Sequence, residues 1–135
     1  MPALNELAAA VFSGPETYAD RIHFVHIYCI EPHPRAPDPS PYTGRPWEST
    51  FSTRPQTGTY NDRLELARET EALIDETQLM LVDDLTPGER NNPVWCTYGS
   101  CPNCAYLFRR DATVEAAQLW FDAEEMKAAI DGLLR

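Results

Sequence analysis

Residues 96–104 read Cys-Thr-Tyr-Gly-Ser-Cys-Pro-Asn-Cys, so three of the chain's four cysteines fall within nine positions. The spacing C-x4-C-x2-C admits several chemistries. A plant-type [2Fe–2S] cluster uses it, but needs a fourth cysteine further along the chain, and none follows Cys104. Zinc wants four Cys or His ligands. Cys101 and Cys104 give one close pair, Cys96 a third ligand, and Cys29 or His33 the fourth. A redox dithiol needs only Cys101 and Cys104, in C-x-x-C spacing. That motif precedes a strand pattern rather than a helix, so no helix dipole lowers its thiol pKa. The nearest basic residues are Arg90 and Arg109, so the pair is expected to be weakly activated yet able to form a disulfide or resolve another thiol. The remaining reading is buried, inert thiols near a loop.

The histidines divide by position. His23 and His26 have opposite parity within one strand pattern and cannot share a face, so His23-x2-His26-x2-Cys29 is not a metal motif. His33 lies in a loop beside Glu31, where a titrating imidazole can meet a substrate. The acidic pair Asp83-Asp84 closes a short apolar run. Two carboxylates are too few for a cation site, and they are read as capping or solvating the strand end.

These residues need elements to position them. A chain of 135 residues is read as one domain, residues 1–135, large enough to bury a core. Its 43% hydrophobic and 24% charged content is that of a globular protein. Acidic residues outnumber basic ones by 21 to 11, for a net charge of −10. Nucleic acid and anionic membrane surfaces are therefore not expected as partners. No apolar run approaches the ~18 residues of a membrane span. The N-terminus has no secretory pattern, which points by default to the cytoplasm, where thiols stay reduced or act in catalysis and metal binding.

Residues 3–13 place Leu4, Leu7, Ala8, Val11 and Phe12 on one helical face, with Gly14-Pro15 ending the helix. Residues 21–30 are apolar on both parities, the pattern of a strand buried on both faces of a parallel sheet. Six of the twelve prolines lie between Pro32 and Pro46, which makes 31–60 a long irregular insert. Tyr42, Trp47 and Phe51 give it apolar anchors, so it is expected to wrap as an ordered lid. Residues 61–75 predict a helix capped by Asn61, with Leu64, Ala67, Ala72 and Leu73 toward the core. Residues 78–85 predict a buried strand and 86–93 a turn-rich connection. Residues 104–110 and 113–120 predict a hairpin around Asp111-Ala112, and 122–134 a helix opened by Asp122 and Glu125. The fold class is α/β, with a parallel half and an antiparallel half.

In this order the elements resemble the thioredoxin-like fold, a three-layer α/β/α arrangement with a mixed sheet, a C-terminal β-hairpin and a closing helix. Several stretches are similar to the bacterial deiodinase-like and redoxin group: ALNELAAAV, then YADRIHFVHIYCIEPHP with its Tyr-x-x-Glu-x-His-Pro turn, then LVDDL, YGSCPNCAYLFRRDATV and FDAEEMKAAIDGLL. The resemblance covers most of the chain apart from the proline-rich insert. It implies that Glu31 and His33 lie at a substrate site. Pro102 would be the proline that opens the hairpin strand and lines that site, and Cys101 would face it. The family's central strand and nucleophile motif precede the first helix, whereas this chain begins at Met1-Pro2-Ala3, so the resemblance implies an N-terminally truncated version that starts at an internal methionine of a longer gene. Ala112 stands where the family's hairpin turn has glycine.

Topology adds one expectation. Cys29 ends a strand at the carboxyl edge, where α/β folds build their sites. The strand from Cys104 would start at the same edge. Cys29, Glu31, His33, Cys96, Cys101 and Cys104 are therefore expected to gather at one end of the sheet. The function expected is thiol–disulfide exchange or reductive thiolate chemistry by Cys101, Cys104 and Cys29 on a small-molecule or protein thiol or disulfide. Glu31, His33, Pro102 and Trp47 would bind the substrate under the proline-rich loop. The alternative is a non-catalytic domain that binds a small ligand or protein, or holds a metal such as zinc through Cys96, Cys101, Cys104 and Cys29. An unpaired sheet edge would also permit a homo-oligomer.

Overall fold

In the computed structural model, which describes residues 2–47, 50, 52–85, 92–99 and 103–135, the first helix stops short of its expected end. α1 covers Pro2–Ala9, and β-branched Val11 begins a strand instead. β1 (Val11–Ser13) pairs antiparallel with β2 (Glu16–Thr17) around Gly14, whose φ of 57° is one that glycine adopts without a Cβ clash. Leu7 and Ala8 are buried as the helical pattern predicts, whereas Val11 faces solvent. The described residues form four α-helices and three two-stranded sheets, an α/β chain. None of the helices is long and apolar enough to cross a membrane.

The chain divides into two compact units, residues 1–22 with 101–135 and residues 23–100. In the first, β5 (Ala105–Phe108) and β6 (Val114–Gln118) form the expected hairpin, and α4 (Ala123–Leu134) packs on it and on α1. Asp122 caps α4 by accepting from the Glu125 amide at 2.9 Å. The return arm of a capping box is replaced, because the Asp122 amide donates to Gln118 Oε1 instead. The hairpin turn closes with the Ala112 amide on the Arg109 carbonyl at 3.0 Å. Ala112 takes φ 66°, the left-handed conformation that follows a type I turn in a three-residue hairpin loop. Ala112→Gly is expected to stabilise the chain by about 0.5–1 kcal/mol, as a rise in the midpoint of denaturant unfolding.

Tyr18, 1% exposed, ties this unit together. Its hydroxyl donates to Asp131 Oδ1 on α4 at 2.5 Å, and Lys127 donates to Asp131 Oδ2 at 2.9 Å while lying over the Tyr18 ring. The Tyr18 hydrogen bond, followed by that of Lys127, holds the Asp131 carboxyl below its ordinary value. A carboxyl depressed in the folded state adds stability that is complete above its unfolded pKa and is lost as pH falls through the folded one. Tyr18→Phe is expected to remove about 1–2 kcal/mol at neutral pH, and its deficit should shrink in melts taken below about pH 4.

The second unit is built on a β-loop-α-β run. β3 (Val25–Tyr28) pairs in parallel with β4 (Leu79–Val82), residue 25 opposite 79 through 28 opposite 82. Between them lie the proline-rich loop and α2 (Tyr60–Glu71), which packs on β4. The cap of α2 is Thr59 rather than Asn61. Its hydroxyl accepts from the Asp62 amide while the Asp62 carboxylate accepts from the Thr59 amide. Ala67 is buried and Leu64 half-buried, but Ala72 is exposed and Leu73 is 64% exposed. The helix ends at Glu71, so the apolar stripe does not extend to those two residues. β3 is also not buried on both faces. Val25, Ile27, Leu79 and Leu81 share one face of the pair and are 42–56% exposed, whereas His26, Tyr28, Met80 and Val82 on the other face are half-buried. Being apolar on both parities shows that two faces can be covered, and here the alternation in burial follows α2.

Candidate functional site at the carboxyl edge of the parallel pair

The proline-rich segment is ordered by its own polar groups. The Arg35 amide donates to the Arg54 carbonyl, the Ser40 amide to the Arg45 carbonyl and the Ser40 hydroxyl to the Pro32 carbonyl. The Gln56 amide donates to Asp38 Oδ2 at 2.8 Å. Pro34 and Ser40 are among the most buried side chains of the chain. These bonds compensate for the amides that proline lacks, and they fold the loop on itself. An ion pair between Arg54 and Glu69 links the loop to α2.

Cys29, Glu31 and His33 follow β3 directly. Cys29 is partly exposed, and its thiol donates to the Ile27 carbonyl at 3.6 Å. Glu31 is clamped through its backbone: its amide donates to Gln56 Oε1, and Gln56 Nε2 donates to its carbonyl, both at 3.1 Å. The Gln56 side chain thus acts as a one-residue strand partner. Burial pushes the Glu31 carboxyl up from its ordinary value, and Arg54 and Arg63 partly oppose that shift. A carboxyl raised in the folded state makes the protein less stable as pH climbs past its unfolded value. Glu31→Gln is therefore expected to raise the melting temperature at neutral pH, a gain that disappears in melts below the ordinary carboxylate range.

His33 sits edge-on to Trp47, ring centroids 4.8 Å apart at 83°, and 6.3 Å from Tyr42, which lies 5.7 Å from Trp95. The anchors Tyr42 and Trp47 therefore hold the loop around His33, while Phe51 lies outside the described residues. His33 Nδ1 is buried with no hydrogen-bond partner among the described residues. Of the other histidines, only His26 lies in β3, where its Nε2 meets Gln78 Oε1 at 2.6 Å; His23 precedes the strand, which starts at Val25, and is exposed.

The acidic pair has two jobs. Asp83, 2% exposed, accepts from the Val94 and Trp95 amides at 3.0 Å each through separate carboxylate oxygens. It thereby caps α3 (Pro93–Tyr98), a one-and-a-half-turn helix absent from the sequence expectations. Cys96 is on the surface of α3. Asp83 therefore does not solvate the strand end as expected but is buried as the cap of a separate helix, while Asp84 is exposed and accepts from the neighbouring Leu85 amide.

Arg63 is the residue the sequence did not single out. It is 1% exposed on α2, and its Nη1 donates to the main-chain carbonyls of Asp83 and Asp84 at 3.0 and 3.1 Å, with Nε toward Thr57 Oγ1 at 3.4 Å. Burial lowers its pKa, while Asp83, Cys29, Asp84 and Glu31 act to raise it. One signal was available. A cation in the first turn of a helix opposes the dipole, and Arg63 stands four residues before buried Ala67, on the core stripe.

The carboxyl edge of β3 and β4 therefore brings together Cys29, Glu31 and His33 on the loop after β3, Arg63 from α2 and the start of α3. Cys104 precedes β5 in the other unit, and Cys101 and Pro102 lie outside the described residues. Among the described residues no three His, Cys, Asp or Glu side chains are grouped to hold a metal ion. No family model, curated protein or solved structure matches the chain.

Proposed function

We propose that the chain is a thiol-based redox protein of thioredoxin-like, deiodinase-like character, acting by thiol–disulfide exchange. The observation that carries this reading is the placement of a partly exposed thiol, Cys29, at the carboxyl edge of a parallel strand pair, where a buried guanidinium bonds the carbonyls that follow the partner strand. A thiolate is favoured where a fixed cation stands near a solvent-accessible sulfur. In the exchange step the Cys29 thiolate attacks one sulfur of a substrate disulfide. A new S–S bond forms as the old one breaks, and the departing thiolate leaves with the electron pair and takes a proton from solvent. A second thiol then attacks the mixed disulfide and releases the substrate fully reduced. An external dithiol must supply the electrons for the next cycle. Cys101 and Cys104, by their C-x-x-C spacing, form the chain's own dithiol. His33, with a buried Nδ1 that no described residue engages, and Trp47 beside it orient the substrate.

Intact mass and disulfide mapping of the full chain under oxidising and reducing conditions test this. A reversible disulfide that includes Cys101 or Cys104 is expected, together with a mixed disulfide at Cys29 when a small aromatic disulfide is offered. If neither forms, the protein does not work by exchange.

A further inference from the structure

We propose that Arg63 is the positioning residue of Cys29, holding a fixed positive charge at the strand edge that stabilises the sulfur's negative charge during attack. The geometry is a short chain of contacts. The Asp83 amide donates to the Tyr28 carbonyl at 2.9 Å, which sets residue 83 level with the residue before Cys29. Arg63 Nη1 lies 3.0 Å from the Asp83 carbonyl, so the guanidinium stands at the end of both strands. It cannot swing away, because it is almost fully buried and three oxygens hold it. Its own electrostatics name Cys29 among the groups that act on it.

The other charges here oppose or share this role. Glu31 stands on the loop after β3, Asp83 and Asp84 follow β4, and Arg54 approaches from the proline-rich loop. Asp83 is engaged by the amides of α3, which spread its charge. In the neutral form the Cys29 thiol gives its hydrogen to the Ile27 carbonyl; once ionised it loses that bond, and Arg63 is the buried cation that compensates. An arginine suits the task because it stays charged when buried, whereas a lysine there would tend to lose its proton.

The inference rests on the exchange reading for its use, though not for its test. With Cys96, Cys101 and Cys104 changed to serine, the rate of Cys29 alkylation by iodoacetamide is followed from about pH 6 to about pH 10. Arg63→Lys should keep part of the charge effect. Arg63→Met should move the midpoint upward and slow the neutral-pH reaction about tenfold. An unchanged midpoint in a folded Arg63→Met chain overturns the inference. Should that variant fail to fold, the Arg63 Nε–H resonance of the otherwise native chain decides. It should titrate with the same midpoint as Cys29 alkylation and stop doing so in Cys29→Ser; a resonance indifferent to Cys29 overturns the inference. A shifted midpoint without any mixed disulfide would count against exchange alone, and a mixed disulfide without the shift against Arg63 alone.

Discussion

Arg63→Met is expected to cost the fold about 3 kcal/mol, the largest loss of any single substitution outside the apolar core. The side chain is 1% exposed and joins α2 to the end of β4 through the carbonyls of Asp83 and Asp84. Hydrogen bonds from a charged donor are worth roughly twice neutral ones, and methionine restores none of them. It fills most of the volume, so the loss reports the polar contacts rather than a cavity. The carboxylates of Glu31, Asp83 and Asp84 would also lose the buried cation that acts on them. Arg63→Lys keeps an N–H donor but lacks the planar fork that serves two adjacent carbonyls, so an intermediate loss is expected. Urea unfolding measures both, and an unchanged slope would show that the compactness of the end states is preserved. A loss below about 1 kcal/mol for Arg63→Met would mean that water satisfies those carbonyls equally well.

The legibility of this chain in its sequence follows the strength of local signals. α4 was readable because Met126 and Ile130 repeat at helical spacing behind an Asp122 cap, and the hairpin because alternating residues flank Asp111-Ala112. The left-handed conformation of Ala112 was readable only by analogy with a glycine-bearing turn. α3 was hidden: Pro93-Val-Trp-Cys-Thr-Tyr is too short to show a period, and its start is fixed by a carboxylate ten residues earlier in the chain. The end of α1 was misplaced because Val11 and Phe12 fit a helical face as well as a strand, and only pairing with β2 decides between them.

The site divides in the same way. The position of Cys29, Glu31 and His33 just past a strand was legible because the apolar run that precedes them is a local pattern. Arg63 was not, because in Asn-Asp-Arg-Leu-Glu-Leu-Ala-Arg-Glu a charged residue reads as part of a solvated face. Only the tertiary placement of α2 against β4 turns it inward. The expected meeting of all the cysteines rests on long-range placement, which local pattern does not encode, and Cys101 lies outside the described residues.

Asp83→Ala is the second large effect, about 2 kcal/mol, and it should be felt locally before it is felt globally. The Asp83 carboxylate takes the Val94 and Trp95 amides at 3.0 Å each, so alanine leaves two donors at the start of α3 without their acceptor. Asp83→Asn keeps one acceptor oxygen and should lose roughly half as much. α3 has only six residues and no buried side chain of its own, so the cap is a large share of what holds it in place. Its release would free Trp95 from Tyr42, and with it one side of the aromatic cluster around His33. The expected signature is faster hydrogen exchange at the Val94 and Trp95 amides and a red shift in tryptophan emission, both at denaturant concentrations where the rest of the chain stays folded. Asp84→Ala is the control. That side chain is exposed and accepts from the adjacent Leu85 amide, so a change within about 0.5 kcal/mol is expected. Equal losses at the two positions would mean that the pair acts through summed charge rather than through the cap, and α3 would then be held by something other than Asp83.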